Sequence, residues 1–154
     1  MPGGIAGNCE NGSVPPPLDL VLAADWISPS VARDKVRTWL RAAGWTAPHI
    51  DDLVLAINEA VSNSIEHGYG VAEDSPAGDG TVELRGEISD HHVTFTVRDH
   101  GTWRPPVDDP TSTRGQGIRL MRACVADLTV DVSDDGTTVV LRGQAPSSAD
   151  GRSG

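Results

Sequence analysis

A carboxylate and a carboxamide lie four residues apart in the segment 53–70, LVLAINEAVSNSIEHGYG, where Glu59 precedes Asn63. At about 100° per residue, a helix places both side chains on one face. That face also carries Ser62, Glu66 and His67, and the opposite face carries Ile50, Leu53, Ile57, Val61 and Ile65. Such oxygen atoms hold a hard cation, and a nearby carboxylate accepts a proton. The pattern therefore indicates either a metal-assisted proton-transfer site or the solvated face of an amphipathic helix.

Two glycine-containing segments follow further along the chain. The strand pattern HHVTFTVRDHG ends in Asp99 and Gly101, and the loop before the helical pattern IRLMRACVADL contains Gly115 and Gly117. Glycine lets backbone N–H groups approach phosphate oxygens, and a helix N-terminus favours negative charge. The alternative for the second segment is a flexible turn before a helix.

The order of these three segments resembles the N, G1 and G2 boxes of the Bergerat-type ATPases, the GHKL superfamily of gyrase and histidine kinases. The runs NEAVSNSIEHGYG and GQGIRLMRACVADLTV resemble, more narrowly, the anti-sigma factor serine kinases of the RsbW and SpoIIAB kind. The resemblance covers residues 16–143 and implies ATP and Mg²⁺ as cofactors.

Carried over position by position, the resemblance implies that Glu59 is the general base and that Asn63 binds magnesium. It assigns the carboxylate that reads adenine to Asp99, with Gly101 turning the chain beneath the base. An ionised Asp accepts a hydrogen bond from the exocyclic amine of adenine, so this assignment is chemically sound.

The resemblance also assigns Gly115 and Gly117 to the loop that binds phosphate. Arg104 and Arg114 bracket a lid over residues 102–114. Each arginine is either a donor to the terminal phosphate or an exposed loop residue. His67 is either a polar contact to the nucleotide or a capping group at the end of the helix.

Composition limits the classes of function. At 154 residues the chain is expected to form one domain, and a net charge of −10 argues against direct nucleic-acid binding. The two cysteines, Cys9 and Cys124, have no metal or disulfide spacing, which favours a reducing compartment. Since the chain lacks an apolar run of membrane-span length and a signal pattern, we expect a cytoplasmic protein without membrane association.

The periodicity predicts an α+β two-layer sandwich of the Bergerat type, with a mostly antiparallel sheet and helices on one face. Disordered tails are expected at 1–15 and 144–154, around an ATP-binding domain at 16–143. The predicted strands are 18–24, 81–88, 91–99 with a turn at Asp90, and the segments DLTVDVS and TTVVLRG joined at Asp134-Asp135-Gly136.

Two helices are predicted before the lid. Ser28 is expected to be the N-cap of the first, with Pro29 at its first position. Its buried stripe is predicted to consist of Val31, Val36, Trp39, Leu40 and Ala43. The second helix is expected from Pro48 to His67, and Cys124 on the third is expected to lie in the core.

Two function classes fit these observations. The first is an ATP-dependent anti-sigma factor that sequesters a sigma factor and phosphorylates an anti-anti-sigma (STAS) protein on serine. The resemblance also implies that such a protein is a homodimer. The second is a nucleotide-dependent binding module that transfers no phosphate. Glu59 discriminates them, because a pure binder does not need a base where a serine hydroxyl loses its proton. A histidine kinase is disfavoured, because no helix bearing a phosphoacceptor His precedes the domain.

Overall fold

The computed structural model describes residues 15–71, 80–101 and 116–144. Within these ranges the strands are β1 (Leu18–Ala23), β2 (Thr81–Ser89), β3 (His92–Asp99), β4 (Asp127–Ser133) and β5 (Gly136–Gln144). The helices are α1 (Ser28–Ala42), α2 (Ala47–Asn63) and α3 (Gln116–Cys124), and a π-helical turn, Ser64–Gly68, continues α2.

The five strands form one sheet in the order β1-β2-β3-β5-β4, and every neighbouring pair is antiparallel. Alternate residues of β2 and β3 are buried against the helices while the residues between them face outward. The predicted α+β sandwich is therefore confirmed. The turn at Asp90 is also confirmed, and this residue adopts a positive φ of 54°.

The core lies between the sheet and the apolar face of α2. The five residues predicted for that face are all buried: Ile50, Leu53, Ile57, Val61 and Ile65. Phe95 of β3 is fully buried and meets the Trp39 ring edge-on, with 5.7 Å between the ring centroids. Burial of each such side chain contributes about 1.5–3 kcal/mol, so this face fixes how α2 lies on the sheet.

Three predictions about α1 are wrong. Ser28 is the first residue of the helix and not its N-cap, which is Ile27, so Pro29 lies at the second helical position and not at the first. The Ser28 hydroxyl is buried and donates to the carbonyl oxygen of Ala23 at 2.6 Å, so a tertiary contact replaces the capping bond. Val31 is exposed, because the buried stripe runs through Ala32, Val36 and Leu40 at intervals of four residues.

The other boundaries differ by small amounts. The predicted second helix is split, since α2 ends at Asn63 and the π-helical turn takes the chain to Gly68. Strand β5 extends to Gln144, and Cys124 is half-buried against the core. The predicted tails lie outside the described residues apart from Pro15 and Gln144. None of the helices in the described ranges has the length and hydropathy of a membrane span.

Candidate functional site

A pocket opens where the end of α2, the end of β3 and the start of α3 meet. Its cavity volume is about 10 Å³, and the empty space reaches about 250 Å³ only when the open mouth is counted. It is lined by Ala60, Asn63, Ser64, Asp99, Ile118, Met121, Val130, Thr137 and Val139. The fold thus brings Asn63 and Asp99, predicted from separate motifs, onto the walls of one pocket.

Asp99 is the most deeply buried acidic residue that the structure describes, with 1% of its surface exposed. Its Oδ1 accepts a hydrogen bond from the backbone N–H of Gly101 at 3.0 Å. Its Oδ2 is buried and has no hydrogen-bond partner within the described ranges. A buried acceptor without a donor is costly, so this oxygen is suited to a donor on a ligand.

Thr137 offers a second unpaired polar atom in the same pocket. It faces Asp99 across the β3–β5 pair, is 3% exposed, and its Oγ1 has no partner in the part of the chain that is described. Sequence reasoning missed Thr137. The hairpin turn at Gly136 places it at the start of a strand, but its position beside Asp99 follows only from the register of two distant strands.

Glycines bring the backbone close around Asp99. A Cβ atom on Gly68 would lie 2.9 Å from the Asp99 carboxylate carbon, and one on Gly101 would lie 1.9 Å from the carbonyl oxygen of Gly68. A Cβ atom on Gly136 would lie 1.9 Å from the carbonyl oxygen of Asp99. Larger residues at these positions would separate the end of β3 from the π-helical turn and from β5.

Tyr69 fixes the chain that follows Asp99. Its hydroxyl donates to the carbonyl oxygen of Thr81 at 2.6 Å and accepts from the backbone N–H of His100 at 2.8 Å. Together with the Gly101 bond to Asp99, this holds the two residues after β3 in one conformation. A π-helical turn of this kind is frequently found at a functional site.

Glu59 and Asn63 are half-buried on the same side of α2, as predicted, and the start of α3 packs against both. A Cβ atom on Gly117 would lie 3.0 Å from Glu59 Oε1, 3.3 Å from Asn63 Nδ2 and 3.4 Å from Asn63 Oδ1. The glycine therefore allows close approach of the α3 backbone to the side chains of Glu59 and Asn63.

The negative charge of Glu59 also acts on a neighbouring thiol. Burial raises the pKa of Cys124, and the carboxylates of Asp52 and Glu59 raise this pKa further. Asp52 and Cys124 line one pocket. The thiol is therefore a poor nucleophile at neutral pH.

The side chains of this site fit a magnesium ion only when phosphate oxygens and water complete its coordination shell. The described ranges contain no group of three or more His, Cys, Asp or Glu residues placed to hold a metal. Mg²⁺ usually takes one or two protein ligands and completes its shell with phosphate oxygens and water. Asn63 beside Glu59 is compatible with that arrangement.

Several predicted site residues are not tested by the structure. Arg104, Arg114 and Gly115 lie outside the described residues. His67 lies within the π-helical turn, with its Nε2 3.4 Å from Glu66 Oε1. Both interpretations of His67, nucleotide contact and cap, stay predictions.

A family model described as histidine kinase-like ATPase domain matches residues 22–142. The chain belongs to this family. The matched range includes all five strands in part or in full, as well as Glu59, Asn63, Asp99 and Gly117.

Among curated relatives, the anti-sigma F factor of Clostridium novyi (strain NT) is 30% identical over 128 residues, covering 73% of this chain and 83% of that protein. The anti-sigma F factor of Bacillus licheniformis is 31% identical over 123 residues, covering 73% and 81%. Among solved structures, the RsbU and RsbW domains of a Mycobacterium tuberculosis protein match with a TM-score of 0.67 at 27% identity. That match covers 86% of this chain and 33% of the other. This ATPase domain is thus of the RsbW and SpoIIAB kind, as its motifs indicated.

Proposed function

We propose that this chain is an ATP-dependent anti-sigma factor with protein serine kinase activity. It sequesters a sigma factor and phosphorylates an anti-anti-sigma (STAS) protein on serine. The observation that carries the proposal is the buried, unpaired Asp99 Oδ2 in a pocket that adjoins a carboxylate and an amide on α2.

Adenine recognition is proposed for the inner end of the pocket. Asp99 Oδ2 accepts from the exocyclic amine of adenine, while the Gly101 N–H keeps Oδ1 in place. Thr137 Oγ1 either donates to a ring nitrogen or binds through water. The apolar side chains of Ile118 and Met121 line the pocket beside them. Both polar atoms are unpaired within the described ranges, so adenine would supply the hydrogen-bond partners that they lack, once the side chains around this small cavity move apart to admit the ring.

The outer end of the pocket is proposed to hold the phosphates and magnesium. Asn63 Oδ1 is the protein ligand for Mg²⁺, and the backbone at Gly115 and Gly117 approaches the phosphate oxygens. Arg104 and Arg114 remain the candidates for a donor to the terminal phosphate. When bound, ATP would supply the phosphoryl group and Mg²⁺ would neutralise part of the negative charge on the phosphates.

Glu59 is proposed to act as the general base. Its carboxylate accepts the proton of a serine hydroxyl on the protein substrate as the serine oxygen bonds to the terminal phosphorus, and the bond to ADP breaks. Asn63 lies one helical turn further along α2, which would place the proton acceptor and the metal ligand side by side. A base of this kind contributes about 10²- to 10⁴-fold to the rate.

The proposal about partners rests on charge and on the relatives. Two of the relatives described above are anti-sigma F factors, and we extend sigma-factor binding to this chain on that ground. The net charge of −10 suits a partner with a basic surface. A homodimer in the cytoplasm is proposed on the family resemblance.

Incubation with Mg²⁺, γ-labelled ATP and candidate anti-anti-sigma proteins tests the proposal, with phosphoserine located by mass spectrometry. Pull-down from lysate tests the proposed binding of protein partners, and we expect it to recover a sigma factor or an anti-anti-sigma protein. A protein that binds Mg-ATP and a sigma factor but phosphorylates no candidate would favour the alternative, a binding module without kinase activity. Recovery of DNA without either protein partner would contradict both functions.

A further inference from the structure

A chain of side-chain hydrogen bonds connects α1 to Glu59. Arg33 Nη1 of α1 donates to Asn58 Oδ1 of α2. Asn58 Nδ2 in turn donates to Glu59 Oε2 at 3.3 Å. All three residues are half-buried, so water competes less for these bonds than at an open surface.

The direction of this chain is fixed by its two ends. A guanidinium can only donate, and an ionised carboxylate can only accept. Only one orientation of the Asn58 amide satisfies both neighbours, with its oxygen toward Arg33 and its nitrogen toward Glu59. Arg33 therefore determines which group Asn58 presents to Glu59.

The two carboxylate oxygens of Glu59 consequently have different surroundings. Oε2 accepts the bond from Asn58, whereas Oε1 points toward Gly117 at the start of α3. A base must present one oxygen to the proton it removes, and a misplacement of about 1 Å can reduce a rate by about 10²-fold.

We propose that Arg33 and Asn58 are positioning residues, which hold Glu59 by Oε2 so that Oε1 is the oxygen that accepts the proton. This inference rests on the proposed role of Glu59 as the base. Arg33 acts only through Asn58, and neither residue touches the substrate.

The alternative is a purely structural role, in which these bonds only hold α1 against α2. The chain contains a matched example of such a contact. Arg37 of α1 forms an ion pair with Asp51 of α2 at 2.8 Å. Asp51 precedes Asn58 by seven residues, so this ion pair lies about 10 Å closer to the N-terminus of α2, at 1.5 Å per residue. It ties the same helices without reaching Glu59.

Asn58→Asp separates the two roles. The new carboxylate keeps an acceptor for Arg33, so the tie between the helices remains, but it removes the donor to Glu59 and places a like charge beside it. The assay is steady-state formation of ADP from Mg-ATP by the full chain, with a candidate anti-anti-sigma protein that the parent protein phosphorylates as acceptor, which gives kcat and the KM for Mg-ATP separately. We expect kcat to fall by about 10- to 100-fold in Asn58→Asp while KM changes less than about twofold.

Arg33→Met should also lower kcat, whereas the kcat of Arg37→Met should equal that of the parent protein. Adding Asn58→Asp to Glu59→Gln should lower kcat no further, since the residue would have no base to position. A parent-like kcat in Asn58→Asp, or an equal loss in Arg37→Met, would overturn the positioning role. Parent-like kcat in Glu59→Gln would instead overturn the proposed base and with it this inference.

A second readout does not depend on turnover. In nuclear magnetic resonance spectra, the side-chain amide signals of Asn58 should move toward those of a free amide in Arg33→Met, and should stay in place in Arg37→Met. Unchanged signals in Arg33→Met would show that Arg33 does not hold the amide, which contradicts the proposal even if kcat falls.

Discussion

Replacement of Asp99 by Asn tests the adenine end of the pocket with a change of one atom type. The amide oxygen can keep the bond from the Gly101 N–H, which is 3.0 Å long in the parent protein. The amide nitrogen then replaces Oδ2, the unpaired oxygen, and presents a donor where adenine also presents a donor. Turning the amide over would restore the acceptor but would break the Gly101 bond.

Either orientation of the new side-chain amide lowers the affinity for nucleotide. One hydrogen bond to a charged acceptor is lost, or a buried polar group stays unsatisfied, and each costs about 1–3 kcal/mol. At about 1.4 kcal/mol per tenfold, the dissociation constants for ATP and ADP should both rise by about 5- to 150-fold. The free protein should be at least as stable as the parent, because Asn removes a charge at a site that is 1% exposed.

Calorimetric titration with Mg-ATP and Mg-ADP measures the affinities, and thermal unfolding measures the stability. Asp34→Asn is the matched control, since it makes the same change in net charge at an exposed position of α1. Parent-like affinity in Asp99→Asn would refute the assignment of Asp99 to adenine. A fall in affinity matched by a fall in unfolding temperature would refute the reasoning that Oδ2 is reserved for a ligand.

Three further predictions concern the rest of the site. Asn63→Ala should weaken ATP binding in Mg²⁺ but leave it unchanged in excess EDTA; an equal loss in both buffers would remove Asn63 as the metal ligand. Gly101→Ala should lower the free energy of unfolding by about 1–3 kcal/mol in urea titrations, because its Cβ would lie 1.9 Å from the Gly68 carbonyl oxygen. Parent-like stability would show that the π-helical turn can move aside. Because its pKa is raised by burial and by Asp52 and Glu59, Cys124 should be alkylated more slowly at pH 8 in the folded protein than in urea, and faster in Asp52→Asn. Equal rates in all three samples would contradict this.

Prediction from the sequence was most accurate where the local spacing of apolar residues decides the structure. The apolar face of α2 is unmistakable, so the side of the helix that carries Glu59 and Asn63 was correctly predicted. Ser28 shows the limit of such rules. The Ser-Pro pair favours an N-cap, but burial against Ala23 offered the hydroxyl a different acceptor.

The features that sequence reasoning missed depend on contacts between distant segments. Thr137 faces Asp99 because β5 pairs with β3, and the two residues lie 38 positions apart. The hydrogen bond between Arg33 and Asn58 spans 25 positions and depends on how α1 packs on α2. No local pattern encodes either pairing.

Phosphoryl transfer by Glu59→Gln tests the central claim most directly. Gln keeps the size of the side chain and an acceptor for Asn58, but it cannot take a proton. Phosphoserine on the anti-anti-sigma protein would be quantified by mass spectrometry, with Mg-ATP affinity and partner binding measured on the same samples. The account predicts about 10²- to 10⁴-fold slower phosphorylation with nearly unchanged binding. A variant that phosphorylates serine at the parent rate would contradict it.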